Sequence, residues 1–157
     1  MLKQLTPIDV RLTDQLGDLV YGDELWEPPE VMASRIALYP QGCMGSFEDG
    51  RLVGYVFSHP WTSKKVVPIG KVMKNIPRKA DCYYIHDLAV HPKHRRRGHA
   101  KALADAALKL GESKGFRRLM LVSVRDTAGF WESFGFKSAG KMEYAPGIMG
   151  TKMVRRI

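Results

Sequence analysis

The segment that decides the fold reads Cys-Tyr-Tyr-Ile-His-Asp-Leu-Ala-Val at residues 82–90 and continues as His-Pro-Lys-His-Arg-Arg-Arg-Gly-His-Ala at residues 91–100. Aromatic and β-branched residues fill its first part, which favours a β-strand that ends at His91-Pro92. A helix is expected from about Gly98 to Lys114, because the apolar residues there form a single stripe: Ala100, Leu103, Ala104, Ala107, Leu108 and Gly111. Gly115 stands where a left-handed residue ends a helix. The segment therefore predicts a strand, a tight basic turn and an amphipathic helix.

Shorter elements flank this unit. We expect two helices within the first forty residues, separated at Pro28-Pro29, and then a hairpin that turns at Glu48-Asp49-Gly50, since Asp-Gly between apolar runs is a strong hairpin signal. The other expected elements are the hairpin strands at Cys43–Phe47 and Arg51–Phe57, a buried strand at Leu119–Val124, a short helix from Asp126 or Thr127 to Phe134, and a strand around Lys152–Val154. The middle of the chain is thus an α/β unit, and such units bind ligands at the carboxyl ends of their strands.

Residues 58–80 show no periodicity. Prolines at positions 60, 68 and 77 interrupt them, and lysines at positions 64, 65, 71 and 74 give them a positive charge. Loops of this length are uncommon in a compact domain and tend to be functional or mobile. Two interpretations stay open, a surface insertion and a lid on the substrate side.

The composition indicates one soluble domain over residues 1–157. Hydrophobic residues make up 45% of the chain and charged residues 26%, which is ordinary for a globular protein. No apolar stretch approaches the ~20 residues that span a bilayer, and the start lacks the apolar core of a secretion signal. We therefore expect a cytoplasmic protein without membrane attachment. Cys43 and Cys82 match no metal or redox spacing, so no metal site is predicted.

Charge is unevenly distributed along the chain. Residues 1–60 carry four Lys or Arg against nine Asp or Glu, a net of −5, whereas residues 91–118 carry nine against two, a net of +7. The arginines at positions 95–97 precede the expected helix, where unpaired N–H groups and the helix dipole favour an anion and disfavour cations. The turn therefore predicts a phosphate-binding site. Nucleic acid, an acidic membrane and a phosphorylated cofactor all fit this charge.

The stretch Arg95-x-x-Gly98-x-Ala100 resembles the Gln/Arg-x-x-Gly-x-Gly/Ala signature of the GNAT superfamily of N-acetyltransferases. Leu-Ala-Val-His-Pro at residues 88–92 precedes it as in that family, and Phe-Trp-Glu-Ser-Phe-Gly-Phe at residues 130–136 is similar to the family's Leu-Tyr-Glu-x-Leu-Gly-Phe segment. The likeness covers residues 82–137. It implies a single α/β domain whose twisted, mostly antiparallel sheet contains two splayed parallel strands and is flanked by helices.

The resemblance also implies acetyl-CoA as the acyl donor, bound between the strands that end at Val90 and Val124. The pantetheine arm would lie along Leu88, Ala89 and Val90, and a backbone N–H near Leu88 or Ala89 would stabilise the oxyanion. The pyrophosphate would contact the turn through Arg95, Arg96, Arg97, Gly98, His99 and Ala100.

The catalytic pattern departs from the family at Trp131, which stands where members often have an acidic tyrosine. An indole N–H donates a hydrogen bond but is not a useful acid, so Trp131 is expected to form a wall of the cofactor cleft. The candidate catalytic residues are Asp87, His86 and Tyr144. Alternation along a strand predicts that His86 and Asp87 point to opposite faces, so that at most one faces the substrate. Structural, hydrogen-bonded roles for both are the alternative, with water carrying the proton.

The leading hypothesis is direct transfer of an acetyl group from acetyl-CoA to a primary amine of a small molecule or peptide in a ternary complex. An acyl-CoA-binding sensor without transferase activity is an alternative, because the family's tyrosine is absent. A nucleic-acid-binding module is a further alternative, but no aromatic residues interleave the arginines as they do in single-strand binders. Dimers are common in the family, so a homodimer is one expected arrangement.

Overall fold

The computed structural model describes residues 1–157, which fold into seven strands and four helices. The strands are β1 (Leu2–Gln4), β2 (Cys43–Glu48), β3 (Arg51–Trp61), β4 (Cys82–Val90), β5 (Arg118–Ser123), β6 (Lys137–Ala145) and β7 (Ile148–Arg156). The helices are α1 (Val10–Leu25), α2 (Pro29–Leu38), α3 (His99–Ser113) and α4 (Ala128–Glu132). Short 3-10 turns lie at Pro7–Asp9, Pro40–Gly42 and Pro92–His94.

All seven strands belong to one sheet in the order β1-β2-β3-β4-β5-β7-β6. The β4–β5 pair is parallel and every other neighbouring pair is antiparallel. This mixed sheet with flanking helices confirms the fold class expected from the sequence.

The helices cover both faces of the sheet. On one face, the apolar stripe of α3 packs through Leu103 and Ala107 against Ile85 and Leu121 in the larger part of the core. On the other face, α1 and α2 pack against Tyr55 and Phe57, contributing Leu16, Met32 and Ile36. Burial of this apolar surface on both faces is the main force that holds the helices to the sheet.

The two parallel strands separate at their carboxyl ends. β4 and β5 pair only from Tyr83 to Ile85 and from Leu119 to Leu121. Beyond Ile85, β4 continues to Val90 and stays paired on its other side to β3. An edge of β4 is therefore left free where it diverges from β5, and this opening positions the candidate site.

Several elements differ from the sequence expectation. The chain begins with the short strand β1 rather than with a helix, and β3 runs four residues past Phe57, to Trp61. The single strand expected near the C-terminus is a hairpin of two, β6 and β7. Strand β6 has no apolar alternation because it lies at the sheet edge, exposed along most of its length.

The segment between β3 and β4 has no regular structure but packs on the sheet. Val67 and Met73 are buried in a small cluster with Cys82, Tyr84 and Met120. Its two ends are joined through Asp81, whose carboxylate accepts hydrogen bonds from the Ser63 backbone N–H at 2.6 Å and from its hydroxyl at 2.8 Å.

Among the four helices, none has the length and hydropathy that crossing a bilayer requires.

Candidate active site

A cleft of about 740 Å³ opens where β4 and β5 diverge. Its walls come from the free edge of β4, the end of β5, the start of α3 and the end of α1. Apolar side chains make up 15 of its 26 lining residues, which matches the mostly apolar character of small-molecule sites.

The basic turn forms one end of the cleft. Its backbone takes left-handed conformations at Arg96, where φ is 63°, and at Gly98, where φ is 88°. The first helical bond of α3 runs from the Ala102 N–H to the Gly98 carbonyl at 3.0 Å. None of the main-chain N–H groups from Arg95 to Lys101 donates to an acceptor within the chain. Seven successive unpaired donors at a helix N-terminus form a site suited to a phosphate group.

Nine of the ten residues expected to hold the cofactor line this cleft: Leu88, Ala89, Val90, Arg95, Arg96, Gly98, His99, Ala100 and Trp131. Arg97 does not, because its guanidinium turns to the β2–β3 hairpin and donates to Glu48 Oε1 at 2.9 Å. Trp131 is 6% exposed and packs edge-on against Phe130 and Phe136. Its side chain therefore belongs to the wall of the cleft and to the core behind it.

His86 and Asp87 lie on the same face of β4, so the expectation that they point to opposite faces is wrong. The cause is a bulge, since Phe57 pairs with Asp87 and Ser58 pairs with Ile85, which leaves His86 without a partner on β3. A bulge adds one residue to one strand and so interrupts the alternation of side chains. Both side chains consequently reach the α1–α2 side and line the cleft.

The carboxylate of Asp87 is held by two phenols. Its Oδ1 accepts a hydrogen bond from the Tyr21 hydroxyl at 2.6 Å, and its Oδ2 accepts one from the Tyr55 hydroxyl at 2.9 Å. Burial and the nearby charge of Glu27 raise the pKa of Asp87 to about 6, against the opposing effect of the two hydrogen bonds. Asp87 is therefore mostly ionised at neutral pH and sits between α1 and β3.

His86 lies next to a buried ion pair. Its Nε2 is 3.5 Å from Glu27 Oε1, and neither ring nitrogen makes a hydrogen bond. Glu27 in turn accepts two hydrogen bonds from Arg35, at 2.9 and 2.8 Å. Burial, together with the charge of Arg35, lowers the pKa of His86, so its imidazole is neutral at pH 7. A neutral imidazole with a free nitrogen in a cleft can accept a proton.

Tyr144 brings a third titratable group into the cleft from the end of β6. Burial raises the pKa of its phenol, and the negative charges of Glu27 and Asp87 raise it further. The hydroxyl consequently stays protonated throughout the physiological pH range. The three candidate catalytic residues, Asp87, His86 and Tyr144, thus line one cavity, although Tyr144 is far from the other two in the sequence.

The sequence places Glu27 in an acidic region, residues 23–30, that can either attract a cationic amine or form a solvated face, and it does not single out Glu27 as a buried site residue. In the structure Glu27 is 5% exposed, accepts hydrogen bonds from Arg35 and also accepts one from the Gly70 N–H at 2.6 Å. The signal that could have found it is Arg35, which shares the buried face of α2 with Val31 and Ile36 and therefore needs a buried anion.

The loop between β3 and β4 closes the other end of the cleft. Ile69 lines the cavity, and the N–H of the neighbouring Gly70 donates a hydrogen bond to Glu27. The Met73 N–H is held by the Ser34 hydroxyl of α2 at 3.0 Å. The segment therefore contributes to the cavity wall. Of the two interpretations left open by its sequence, this favours a lid on the substrate side over a surface insertion.

The model of the acetyltransferase (GNAT) family matches residues 13–136. The chain is 28% identical over 106 residues to serotonin N-acetyltransferase of Mesocricetus auratus, a stretch that is 67% of this chain and 50% of that protein. The chain thus spans about half the length of this curated relative.

Two solved structures share the whole fold. The GNAT-like decarboxylase GphF, in complex with isobutyryl-CoA, superposes with a TM-score of 0.88 at 14% identity, over 99% of this chain and 98% of that one. Naa20 of Chaetomium thermophilum, in complex with a bisubstrate analogue, gives a TM-score of 0.77 at 13% identity, over 100% and 86%. The family match covers the splayed strands β4 and β5, the basic turn, helices α2, α3 and α4 and most of α1, and the chain belongs to the acetyltransferase (GNAT) family.

Proposed function

We propose that this protein transfers an acetyl group from acetyl-CoA to a primary amine. One observation carries the proposal: the unpaired N–H groups from Arg95 to Lys101 and the buried pair His86 and Asp87 lie at two ends of one continuous cleft. The first end suits a pyrophosphate, and the second suits the removal of a proton from an attacking amine.

The acyl donor would lie along the free edge of β4. The pantetheine arm would bond to the main chain from Leu88 to Val90 as an added strand does, and the phosphates would take the N–H groups of the basic turn. Arg95 and Arg96, which line the cleft, would add countercharge. The N–H of Leu88 or Ala89 would stabilise the oxyanion, a contribution that is worth ~100-fold or more in other enzymes.

His86 is the favoured general base. Both oxygens of Asp87 already accept tyrosine hydrogen bonds, whereas both nitrogens of His86 are without a partner. Glu27 lies on the Nε2 side of the ring, so Nδ1 would take the proton. Asp87 would instead fix Tyr21 and Tyr55 and keep the acceptor end negatively charged.

In the reaction, the amine nitrogen forms a bond to the thioester carbonyl carbon, and the carbon–sulfur bond breaks. The acceptor enters as an ammonium ion and gives one proton to His86, which leaves the neutral nitrogen able to attack. The second proton leaves the nitrogen for water as the amide forms, and the departing thiolate takes a proton from the Tyr144 phenol. The products are an amide and free CoA, and exchange with water restores the proton on Tyr144 and removes the one on His86. Positioning of the two reactants in one cleft supplies a large part of such rate enhancements.

The acceptor belongs to the class of cationic amines on small molecules or peptides. Glu27 and Asp87 contribute two carboxylates to the cleft, and the only buried cation that faces them is Arg35. A residual negative charge at this end attracts an alkylammonium group. The observed relationship to serotonin N-acetyltransferase is consistent with this class of acceptor.

Thermal unfolding with acetyl-CoA, free CoA or a short DNA duplex tests the donor. Saturation at about 100 times the dissociation constant adds ~2.7 kcal/mol of stability, which raises the midpoint by several degrees for a domain of this size. We expect a rise with both CoA species and none with DNA. A rise with DNA alone would replace the proposal with a nucleic-acid-binding module.

Release of free thiol from acetyl-CoA in the presence of a panel of primary amines tests the transfer. We expect amine-dependent thiol release and a product heavier than the amine by one acetyl group. Stabilisation by acetyl-CoA together with no release for any amine would support the alternative, an acyl-CoA sensor.

A further inference from the structure

Two histidines and one carboxylate converge at the basic turn, at the edge of the cleft, where His94 and His99 contribute to its lining. Glu48 ends β2, His94 ends the 3-10 turn before the arginines, and His99 is the first residue of α3. His94 Nδ1 and His99 Nε2 each lie 2.8 Å from the same oxygen, Glu48 Oε2. The three atoms all lie within 4.8 Å of one another. We propose that Glu48, His94 and His99 form a binding site for a divalent transition-metal ion, with Zn²⁺ as the best fit.

The donor set supports this class of ion. Two imidazoles and one carboxylate are a ligand combination that zinc uses when a fourth position is left open, and imidazole also suits cobalt, nickel and copper.

The surroundings orient the ligands. His99 Nδ1 is 2.7 Å from the Ser46 hydroxyl, which fixes the ring and leaves Nε2 directed at Glu48. Arg97 donates to the other carboxylate oxygen, Oε1, at 2.9 Å, so Oε2 stays available. The same guanidinium nitrogen lies 3.3 Å from His94 Nδ1 and must move away from that atom when a metal ion binds. Hydrogen bonds of this kind to the far side of ligands are a regular feature of metal sites.

Metal binding requires an adjustment of the distances between the three ligand atoms, which now lie within 4.8 Å of one another. Ligand atoms on a tetrahedral zinc lie about 3.3 Å apart, given bonds of about 2.0–2.1 Å, so each histidine nitrogen must move away from Glu48 by about 0.5 Å. The three side chains are 12–33% exposed, which leaves room for a water as fourth ligand. Glu48 lies 46 residues before His94 in the sequence, and so the absence of a cysteine motif was no guide to this site.

A metal ion here would join the tip of the hairpin to both ends of the segment that carries Arg95, Arg96, Arg97 and Gly98. It would hold the phosphate-binding turn in place and add positive charge beside it. The metal site does not depend on the proposed transferase activity, since its ligand atoms are side-chain atoms of Glu48, His94 and His99, whereas the phosphates of the acyl donor are proposed to take main-chain N–H groups.

Calorimetric titration of the tag-free protein with ZnCl₂, in the absence of CoA, tests the site. We expect one ion per chain. A parallel titration with CoCl₂ is expected to give the visible absorption bands of a four-coordinate cobalt ion. His94→Ala and His99→Ala are each expected to weaken zinc binding at least 10-fold, and Ser46→Ala by about 10-fold through loss of ring orientation.

His91→Ala is the matched control, because His91 packs edge-on against His94 but is not one of the three ligands. Its zinc affinity is expected to stay within about twofold of wild type, and circular dichroism checks that every variant is folded. Absence of saturable binding, or unchanged binding in a folded His94→Ala/His99→Ala double variant, would overturn the site. A loss in His91→Ala as large as in His94→Ala would also overturn the assigned ligand set.

Discussion

The carboxylate of Glu27 and the guanidinium of Arg35 form a bidentate ion pair that is almost completely buried, with the two side chains 5% and 1% exposed. Removal of one partner leaves the other as an unpaired buried charge, which costs about 3–5 kcal/mol. We expect Arg35→Met to lower the free energy of unfolding by this amount, as measured by urea denaturation at pH 7.

A guanidinium nitrogen of Arg155 lies 3.6 Å from Glu112 Oε1, and this solvent-accessible ion pair is the comparison for the buried one. Glu112→Gln is expected to cost less than about 1 kcal/mol, because solvent screens exposed pairs. Equal losses of unfolding free energy in the two variants would contradict the large contribution assigned to the buried pair.

Acidification provides a second test of the buried pair. Burial alone would raise the pKa of Glu27, but the nearby His86 and the hydrogen bonds and charge of Arg35 lower it overall, so its stabilising contribution is lost as the pH falls below about 4.

Gly98 and Gly115 allow the phosphate role of the basic turn to be separated from backbone strain. They bound the same helix, have φ values of 88° and 87°, and have no atom within 4 Å of the position that a Cβ would take. An alanine at either position costs about 1–2 kcal/mol because of its left-handed conformation. We expect both variants to lose similar stability, while only Gly98→Ala weakens acetyl-CoA binding in a calorimetric titration. A similar loss of affinity in Gly115→Ala would count against the turn as the phosphate site.

Local pattern was sufficient for the part of the fold that holds the donor end. The strand from Cys82 to Val90 has the predicted bounds, because aromatic and β-branched residues fill it and His91-Pro92 ends it. Helix α3 begins one residue after Gly98, as its apolar stripe and Gly115 predict. The resemblance of this segment to the GNAT family also predicted the splayed parallel strands, and the pairing of β4 with β5 confirms them.

The acceptor end could not be read in this way, since its geometry depends on contacts between distant residues. His86 and Asp87 share a face because of a bulge in the pairing of β4 with β3, which neither strand marks in its own sequence. Glu27 is buried because α2 brings Arg35 beneath it, and Tyr144 reaches the cleft on a hairpin whose exposed first strand shows no alternation.

His86→Gln tests the general base. If His86 accepts the proton, this change lowers kcat by about 100-fold or more, with little change in KM for acetyl-CoA, because the phosphate-binding turn is unaltered. The pKa of His86 is lowered by burial and by Arg35, so the wild-type rate should fall only when the pH drops below the usual histidine range. His86→Gln should lack that acid limb. An acid limb that persists unchanged in His86→Gln would assign the proton to another group.

Tyr144→Phe tests the general acid. The phenol remains protonated because burial and two carboxylates raise its pKa, so it can donate to the departing thiolate at any physiological pH. We expect kcat to fall by about 100-fold with acetyl-CoA. Tyr39→Phe is the control, since Tyr39 packs against Tyr83 and does not line the cleft. If Tyr144→Phe keeps full kcat, water rather than this phenol protonates the thiolate.

Asp87 gives the protein a pH dependence of opposite sign to that of Glu27. Its pKa is raised to about 6, above the unfolded value of about 3.9, so the folded state binds a proton more readily between these two values. Stability contributed in this way is present below about pH 4 and is lost as the pH rises through 6, by no more than about 3 kcal/mol. Asp87→Asn should remove this loss of stability with rising pH. The free energy of unfolding, measured in urea between pH 4 and 7, should therefore decrease less steeply with rising pH in Asp87→Asn than in wild type. The exposed Glu143→Gln variant should keep the wild-type slope, and an unchanged slope in Asp87→Asn would mean that Asp87 titrates as an ordinary carboxylate.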